Sequence, residues 1–269
     1  MRNLRLALVV VNCPVAAIEK NLENVIRWSE EAARQGAQLI CFPELNVTGY
    51  GTCKELAQSA LSVPGPETDK LLEIARASSL VILAGLAEMD SQGHVFATHV
   101  VATPEGMAGI YRKLHISPPE QALFTAGRQV PLHSHLGLTF GLQLCYDAHF
   151  PELSTRMALD GCDMIIIPHA SPRGTPEKKL ASWMRHLSAR AFDNGVFVAA
   201  CNQVGDNGNG LEFPGVAVVV GPDGKVMQEY DANREGLLLV DLQTSFLESV
   251  RKHRMRYFLP HRRPDVYHL

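Results

Sequence analysis

LGLTFGLQLCYDAHFPE, residues Leu136–Glu152, is the stretch around which the rest of the sequence is organised. A run of β-favouring residues ends at Cys145, and the residues after it offer a turn and the start of a helix near Pro151. At such a junction the backbone amides point outward and the helix dipole favours negative charge, which would stabilise a thiolate or an oxyanion. The segment alone leaves two interpretations of Cys145 open, a nucleophile or a small core hydrophobe.

The composition of the 269-residue chain is that of an ordinary globular protein. Hydrophobic residues make up 46%, charged residues 20%, and the formal net charge is −3, which argues against a nucleic-acid partner. The six cysteines are scattered, with no CxxC pair, so neither a disulfide framework nor a metal site is expected. Reduced thiols, and an N-terminal apolar run too short for a membrane span, predict a cytoplasmic protein without a membrane partner.

Apolar strands alternate with amphipathic helices along the chain. A strand over Leu4–Val11 precedes a helix over Ala16–Gln35 and the wholly apolar strand Ala37–Phe42, a pattern typical of a sheet covered on both faces. We find no linker and no repeat, so residues 1–269 are predicted to form a single α/β domain. Further helices are predicted near Cys53–Ser62 and over Glu67–Ser78, Pro151–Gly161 and Pro176–Asn194. Further strands are predicted over Leu80–Ala87, His94–Thr103, Gly106–Arg112, Met164–Pro168, Val196–Gln203, Gly215–Val220, Lys225–Tyr230 and Gly236–Asp241.

Two other segments place charged residues at strand ends or in a long loop. Glu44 follows an apolar strand in FPELNVTGY, residues 42–50, and RKLHISPPE, residues 112–120, contains Lys113 and Glu120. Ligands in layered α/β folds bind outside the carboxyl ends of strands, and long polar connections are usually functional. A shielded carboxylate and an ammonium are the groups that a thiol nucleophile needs. Taken singly, each of the three also has an ordinary explanation, as a helix cap, a solvated loop charge or a surface residue.

Taken in order, the three motifs closely resemble those of the nitrilase superfamily, the carbon–nitrogen hydrolases with a Glu-Lys-Cys triad. The resemblance covers nearly the whole chain, including the RRPD element at residues 262–265. It implies a four-layer α-β-β-α sandwich of two mixed sheets, and a homodimer formed through one helical layer with the tail, about residues 243–269, in the interface. It also implies a reaction that needs no metal or organic cofactor.

The resemblance assigns a role to each residue of the motifs. Cys145 would be the nucleophile, Glu44 the general base and acid, and Lys113 a stabiliser of the oxyanion. Glu120 corresponds to a second glutamate that orients the lysine and the substrate, and the backbone amide of Tyr146 would be the second oxyanion donor. The implied function is hydrolysis of a small linear amide or carbamoyl compound through a cysteine acyl-enzyme, with release of ammonia.

The residues that would bind the substrate depart from part of the family. Relatives that cleave N-carbamoyl amino acids carry arginines shortly after the cysteine, where this chain has Ala148 and His149, and that subclass is therefore disfavoured. Arg173 or Arg185 could supply a replacement guanidinium for a substrate carboxylate. His149 and His169 lie just past predicted strand ends, either lining the pocket or serving as loop polar groups.

Two alternatives to amide hydrolysis stay open. Tyr146-Asp147 after the cysteine is typical of amidase-like branches, whereas nitrile-cleaving branches commonly have Trp-Glu there, so a nitrilase is the disfavoured alternative. The other is a non-catalytic binding module on the same fold. The simultaneous presence of Glu44, Lys113 and Cys145 argues against it.

Overall fold

The strands and helices follow one another in nearly the predicted order. The structure, a computed structural model, describes residues 3–52 and 54–267. Within these residues the strands are β1 (Leu4–Val10), β2 (Leu39–Cys41), β3 (Val81–Met89), β4 (Val95–Thr103), β5 (Gly106–Arg112), β6 (Leu132–His135), β7 (Leu138–Leu142), β8 (Met164–His169), β9 (Phe197–Asn202), β10 (Val204–Asp206), β11 (Glu212–Pro214), β12 (Ala217–Val220), β13 (Val226–Tyr230) and β14 (Gly236–Leu242). The α-helices are α1 (Ile18–Arg34), α2 (Lys54–Gln58), α3 (Pro66–Ser78), α4 (Pro151–Leu159), α5 (Pro176–Asn194), α6 (Thr244–Arg251) and α7 (Pro264–Tyr267).

Two six-stranded sheets form the centre of the fold. Their strand orders are β14-β1-β2-β3-β4-β5 and β13-β12-β9-β8-β7-β6, and β10 pairs with β11 in a separate hairpin. In each sheet three parallel strands, β1-β2-β3 or β7-β8-β9, are flanked by antiparallel ones. The predicted pair of mixed sheets with helices outside is therefore confirmed.

Side chains of β1 show how the layers are built. Because successive strand residues point to opposite faces, Leu6 and Leu8 pack into the core between the sheets, whereas Ala7 and Val9 pack outward. The outward residues meet buried residues of α1 and α3, while the outer face of the second sheet is covered by α4 and α5. Burial on both faces explains why β1 is apolar from Leu6 to Val10.

Strand boundaries differ from the prediction next to the nucleophile motif. The strand predicted to reach Cys145 ends at Leu142, and Cys145 begins a short 3-10 helix, Cys145–His149. The reason is a side chain: the Asp147 carboxylate accepts a hydrogen bond from the backbone N–H of Leu144 at 2.9 Å and so closes the turn early. The β10–β11 hairpin was not predicted, since three-residue strands are too short to show a period.

The carboxyl ends of strands from both sheets meet at one place. Glu44 follows β2 of the first sheet, and Ala170 follows β8 of the second. The backbone N–H of Ala170 donates to Glu44 Oε2 at 3.0 Å, and the Gln203 side chain donates to the Glu44 carbonyl at 2.9 Å. These bonds join the two sheets at the position where ligands of α/β folds bind.

In the described part of the chain, no helix is both long and apolar enough to cross a bilayer.

Candidate active site

Glu44 is fully buried where the two sheets meet. Its Oε1 accepts a hydrogen bond from Lys113 Nζ at 2.8 Å, and its Oε2 accepts one from the Ala170 N–H. Burial raises the pKa of Glu44 to about 7; the positive charge of Lys113 opposes the rise and the negative charge of Glu120 adds to it. A carboxyl group with a pKa near neutrality can both take up and return a proton, as a general base and acid must.

Lys113 follows β5 and bridges two carboxylates. Its Nζ lies 2.8 Å from Glu44 Oε1 and 2.8 Å from Glu120 Oε1, and the residue is only 1% exposed. Burial alone would lower the pKa of Lys113, but the negative charges of Glu44, Cys145 and Glu120 outweigh it and raise the pKa well above the ordinary value. The ammonium therefore stays charged at neutral pH, which suits a group that stabilises an oxyanion.

Glu120 is fixed at both of its oxygens. Oε1 also accepts from the Tyr50 hydroxyl at 3.0 Å, and Oε2 accepts from the Ser117 N–H at 2.9 Å. A short 3-10 helix, Pro118–Glu120, positions the side chain, which is buried. The long polar loop after β5 therefore holds the Glu120 carboxylate in a fixed position beside Lys113.

Removal of the Lys113 charge is expected to damage both folding and activity. Lys113→Met leaves Glu44 and Glu120 buried without their cation, and breaking a buried ion pair costs about 3–5 kcal/mol of the free energy of unfolding. Loss of one oxyanion donor lowers kcat by roughly 10²- to 10³-fold. Urea unfolding and amide turnover measure the two effects.

Lys178→Met is the matched control, because Lys178 is exposed and forms no ion pair in the residues that the structure describes. Unchanged unfolding free energy in Lys113→Met would contradict the buried ion-pair network.

Cys145 is partly exposed and adopts a left-handed backbone conformation, with φ at 44°. Non-glycine residues rarely adopt this region, and it is common at functional turns. Burial and the negative charge of Glu44 raise the pKa of Cys145, whereas Lys113 and the Ala170 N–H lower it without reversing the rise. The pKa of Cys145 therefore lies above its ordinary value, which favours the thiol over the thiolate that the turn was expected to stabilise. A protonated thiol needs a base, and Glu44 is the group that can provide one.

Asp147 holds the turn that carries Cys145, a role that the sequence did not reveal. Its Oδ2 accepts from the Tyr111 hydroxyl at 2.8 Å and from the Leu144 N–H, while Oδ1 accepts from the His115 N–H at 2.8 Å and lies 2.7 Å from His115 Nδ1. The residue is fully buried. Four contacts to one carboxylate fix the backbone on both sides of the nucleophile, so Asp147 is a positioning residue.

Asp147→Asn is expected to lower both stability and kcat. The N–H₂ of the introduced amide would face two donors, and a buried donor left without an acceptor costs about 1–3 kcal/mol. Thermal unfolding and ammonia release measure the change. Asp160→Asn, in an exposed ion pair with Arg156 on α4, is the control and should change unfolding by less than about 1 kcal/mol. Equal effects of both variants would argue against a positioning role.

The two histidines predicted near the site lie in different environments. His169 is buried at the end of β8, next to Ala170, with its ring stacked on Trp183 at 4.0 Å between centroids. His149 is exposed, and its ring centroid lies 5.5 Å from that of Tyr146 and 4.6 Å from that of His186. His149 therefore belongs to the short helix that begins at Cys145, whereas His169 lies in the interior, one residue before the Ala170 N–H that binds Glu44.

Arg173 and Arg185 are both exposed. Arg173 has φ at 67°, and its N–H donates to the Glu212 carbonyl at 2.8 Å. By contrast Arg190, which the sequence did not single out, is buried and donates to the carbonyls of Ala148 at 3.1 Å and His149 at 3.3 Å. The sequence could not reveal this contact, because only the fold brings α5 against the short helix that begins at Cys145.

In residues 3–52 and 54–267, no three His, Cys, Asp or Glu side chains are grouped to hold a metal ion.

Comparison with known proteins agrees with this geometry. The family model for carbon–nitrogen hydrolases matches residues 5–252. An (R)-stereoselective amidase of a Pseudomonas species is 32% identical over 80% of this chain and 76% of its own length, and a nitrilase of Pyrococcus abyssi is 29% identical over 98% and 99%. The solved structure of an amidase variant from Nesterenkonia AN1 superposes with a TM-score of 0.83, at 29% identity, over 98% of this chain and 96% of that one. The resemblance inferred from the three motifs is thus confirmed, and the chain belongs to the carbon–nitrogen hydrolase family.

Proposed function

We propose that this chain hydrolyses the C–N bond of a small linear amide or carbamoyl compound and releases ammonia. The observation that carries the proposal is the buried Glu44–Lys113–Glu120 cluster beside the partly exposed thiol of Cys145. The relatives support amides as substrates. One variant of the Nesterenkonia amidase was solved in complex with acrylamide, and another carries the acetamide moiety of fluoroacetamide covalently added to the active-site cysteine.

In the first half of the reaction, Glu44 accepts the Cys145 proton as the sulfur attacks the amide carbon. A C–S bond forms, and the carbonyl π electrons move to oxygen. Lys113 Nζ and the backbone N–H of Tyr146, which lies in the first turn of a 3-10 helix, donate to this oxyanion. Glu44 then gives its proton to the nitrogen, the C–N bond breaks, ammonia leaves, and a thioester remains.

In the second half, water replaces ammonia. Glu44 removes a proton from the water as its oxygen attacks the thioester carbon, and the same two donors hold the oxyanion. Collapse breaks the C–S bond, the sulfur regains a proton from Glu44, and the carboxylic acid leaves. Glu120 keeps Lys113 oriented throughout, because its own two oxygens are fixed by Tyr50 and Ser117.

His149 and His169, together with the turn at Tyr146, are proposed to line the substrate pocket, and Arg173 is proposed as a carboxylate contact at its mouth. The burial of His169 and the ring contacts of His149 support the lining roles. Exposure of Arg173 limits it to the surface side of the site.

A single domain over residues 1–269, assembled as a cytoplasmic homodimer, is proposed as the setting of this activity. Exposed apolar side chains of Met255, Phe258 and Val266 support an interface role for the tail, about 243–269, of which residues 268 and 269 lie outside the described residues. The five described cysteines are free thiols, which supports a reducing compartment; the sixth, Cys53, also lies outside. Light scattering tests the dimer, and a monomer would contradict it.

The test is a panel of small amides, N-carbamoyl compounds and nitriles, with acid and ammonia measured for each. Turnover of amides or carbamoyl compounds without turnover of nitriles supports the proposal. Faster turnover of nitriles would favour the nitrilase alternative, which the Pyrococcus relative represents. An inactive panel, with Cys145 unreactive toward iodoacetamide, would favour a binding module.

A further inference from the structure

The hydrogen bond from the Ala170 N–H to Glu44 Oε2 connects residues of different sheets. Glu44 follows β2 in the first sheet, Ala170 follows β8 in the second, and the two atoms lie 3.0 Å apart. The other oxygen of the carboxylate is bonded to Lys113. Two fully buried amide side chains, Asn202 and Gln203, contact the chain on the two sides of the bond between Ala170 and Glu44.

Asn202 is the last residue of β9, and its side chain binds the loop after β8 at two points. Its Oδ1 accepts from the Ser171 N–H at 2.8 Å, and its Nδ2 donates to the Ser171 carbonyl at 3.0 Å. The Ser171 N–H belongs to the planar peptide group that follows Ala170. Only the two backbone torsions of Ala170 therefore separate the group held by Asn202 from the N–H that binds Glu44.

Gln203 holds the other side of the bond. Its Nε2 donates to the backbone carbonyl of Glu44 at 2.9 Å. Its Oε1 is buried and has no hydrogen-bond partner among residues 3–52 and 54–267. Because a buried amide with an unpaired oxygen is less favourable than an apolar side chain of similar size, packing alone does not explain a glutamine here. The bond to Glu44 does.

The backbone that carries these two amides is itself fixed. The Asn202 N–H donates to the Val216 carbonyl at 2.9 Å, and the Gly215 N–H donates to the Gln203 carbonyl at 3.1 Å. All six residues of β9 are buried, and its last residue pairs with the last residue of β8. One strand end thus sets the positions of the hydrogen-bond donor and the acceptor relative to each other.

Lys179 also contacts the loop after β8, but at different atoms. Its Nζ donates to Ser171 Oγ at 2.8 Å and to the Pro172 carbonyl at 2.9 Å. These atoms are not the backbone groups that Asn202 binds. Replacement of Ser171 by alanine therefore removes a contact with Lys179 and leaves both bonds to Asn202 in place.

We propose that Asn202 and Gln203 are positioning residues for the general base, which keep the Ala170 N–H hydrogen-bonded to the Glu44 carboxylate. Asn202 fixes the donor, and Gln203 fixes the backbone of the acceptor. The proposal rests on the role of Glu44 in the function proposed above. Burial raises the pKa of Glu44 to about 7, whereas Lys113 and the Ala170 N–H lower it. Loss of the Ala170 bond would therefore make Glu44 ionise at a higher pH.

The charges around Glu44 stay the same when either amide is replaced by a neutral side chain. A shift in the pH at which Glu44 ionises then reports on the hydrogen bond and not on a lost charge. The titratable groups around Glu44 are Lys113 and Glu120 after β5, Cys145 after β7, Tyr50 after β2 and His169 at the end of β8.

The first experiment follows kcat/KM for butyramide against pH, with a midpoint expected near 7 in the parent. Asn202→Ser and Gln203→Leu are each expected to raise the midpoint by roughly one pH unit, because a hydrogen bond to a charged group changes proton affinity by about that much. The result is a loss of about fivefold at pH 7 that is recovered by about pH 9. A substitution that only disturbed packing would lower kcat/KM by the same factor at every pH.

Two controls should keep the parent midpoint. Ser171→Ala retains the backbone groups that Asn202 binds. Asn194→Ala removes another buried asparagine, whose Nδ2 donates to the Arg190 carbonyl within α5 at 2.9 Å. An unchanged midpoint in Asn202→Ser, or an equal shift in Asn194→Ala, would overturn the role of Asn202. An unchanged midpoint in Gln203→Leu would overturn that of Gln203.

The second experiment needs no amide turnover. Infrared spectroscopy detects the carbonyl stretch of a protonated carboxyl group, and the band that is absent from Glu44→Gln belongs to Glu44. The pH at which this band disappears should be higher in Asn202→Ser and Gln203→Leu than in the parent. The variants alter different residues, so a folding defect in one leaves the other to decide.

The infrared result separates this proposal from the proposed function. If the parent hydrolyses no amide but the band of Glu44 shifts in the variants, the proposed function fails while the positioning role stands. If the band disappears at the same pH in parent and variants, the positioning role is refuted, whatever the parent hydrolyses.

Discussion

Cys145→Ala is expected to abolish amide hydrolysis. Without the sulfur no acyl-enzyme can form, and removal of a nucleophile from a hydrolase lowers kcat by roughly five to six orders of magnitude. The fold should persist, because Cys145 is small, partly exposed and replaced by a residue with the same Cβ. Ammonia release and thermal unfolding, measured on the same preparation, separate the two effects.

Cys162→Ala is the matched control for Cys145→Ala. Cys162 is buried just before β8, at the end of that strand opposite the site, and its Sγ donates to the Met164 carbonyl at 2.9 Å. This variant should lose some stability and keep its activity. Retention of more than about a hundredth of the parent kcat by Cys145→Ala would rule out Cys145 as the nucleophile.

Glu44→Gln is expected to lower kcat by roughly 10²- to 10⁴-fold and to change the pH dependence. In the parent, the base is the ionised carboxylate, and burial raises the pKa of Glu44 to about 7. Activity should therefore rise with pH through about 7 and level off above it, with about a tenth of the maximum left one pH unit below. A glutamine does not titrate, so the residual activity of the variant should lose this rise.

Glu177→Gln is the control for the pH profile, because Glu177 is an exposed glutamate in the first turn of α5. Its profile should follow that of the parent. If Glu44→Gln kept the rise near pH 7, another group would have to be the base, and the role of Glu44 would need revision.

The sequence predicted the architecture well because both periodicity and order were informative. The apolar runs of β2 and β8 indicated doubly covered strands, and α5 was predicted with its observed bounds, Pro176–Asn194. Placement of Glu44, Lys113 and Cys145 at strand ends or in a loop then followed from the motifs. Periodicity did not choose between a doubly wound sheet and two facing sheets; the family resemblance did.

The contacts that tune the site were not predictable from the sequence. From the sequence, Asp147 indicated only that the chain resembles the amidase-like branches. The residues next to it in sequence do not show that Tyr111 and His115 contact its carboxylate. The thiol was expected to be stabilised as a thiolate by the turn, yet burial and Glu44 raise its pKa. Such effects depend on residues distant in sequence, and local patterns carry no information about them.

The hydrogen bond between Ala170 and Glu44 has a consequence for when the protein becomes reactive. Glu44 and Lys113 belong to the first sheet, and Cys145 belongs to the second. Wherever the two sheets are not packed together, Cys145 has neither Glu44 nor Lys113 beside it and cannot follow the acyl-enzyme mechanism described above. Packing of the two sheets is therefore the folding step that gives Cys145 its base and its oxyanion donor. Amide hydrolysis requires this packing, so its rate can be used to follow how the two sheets come together.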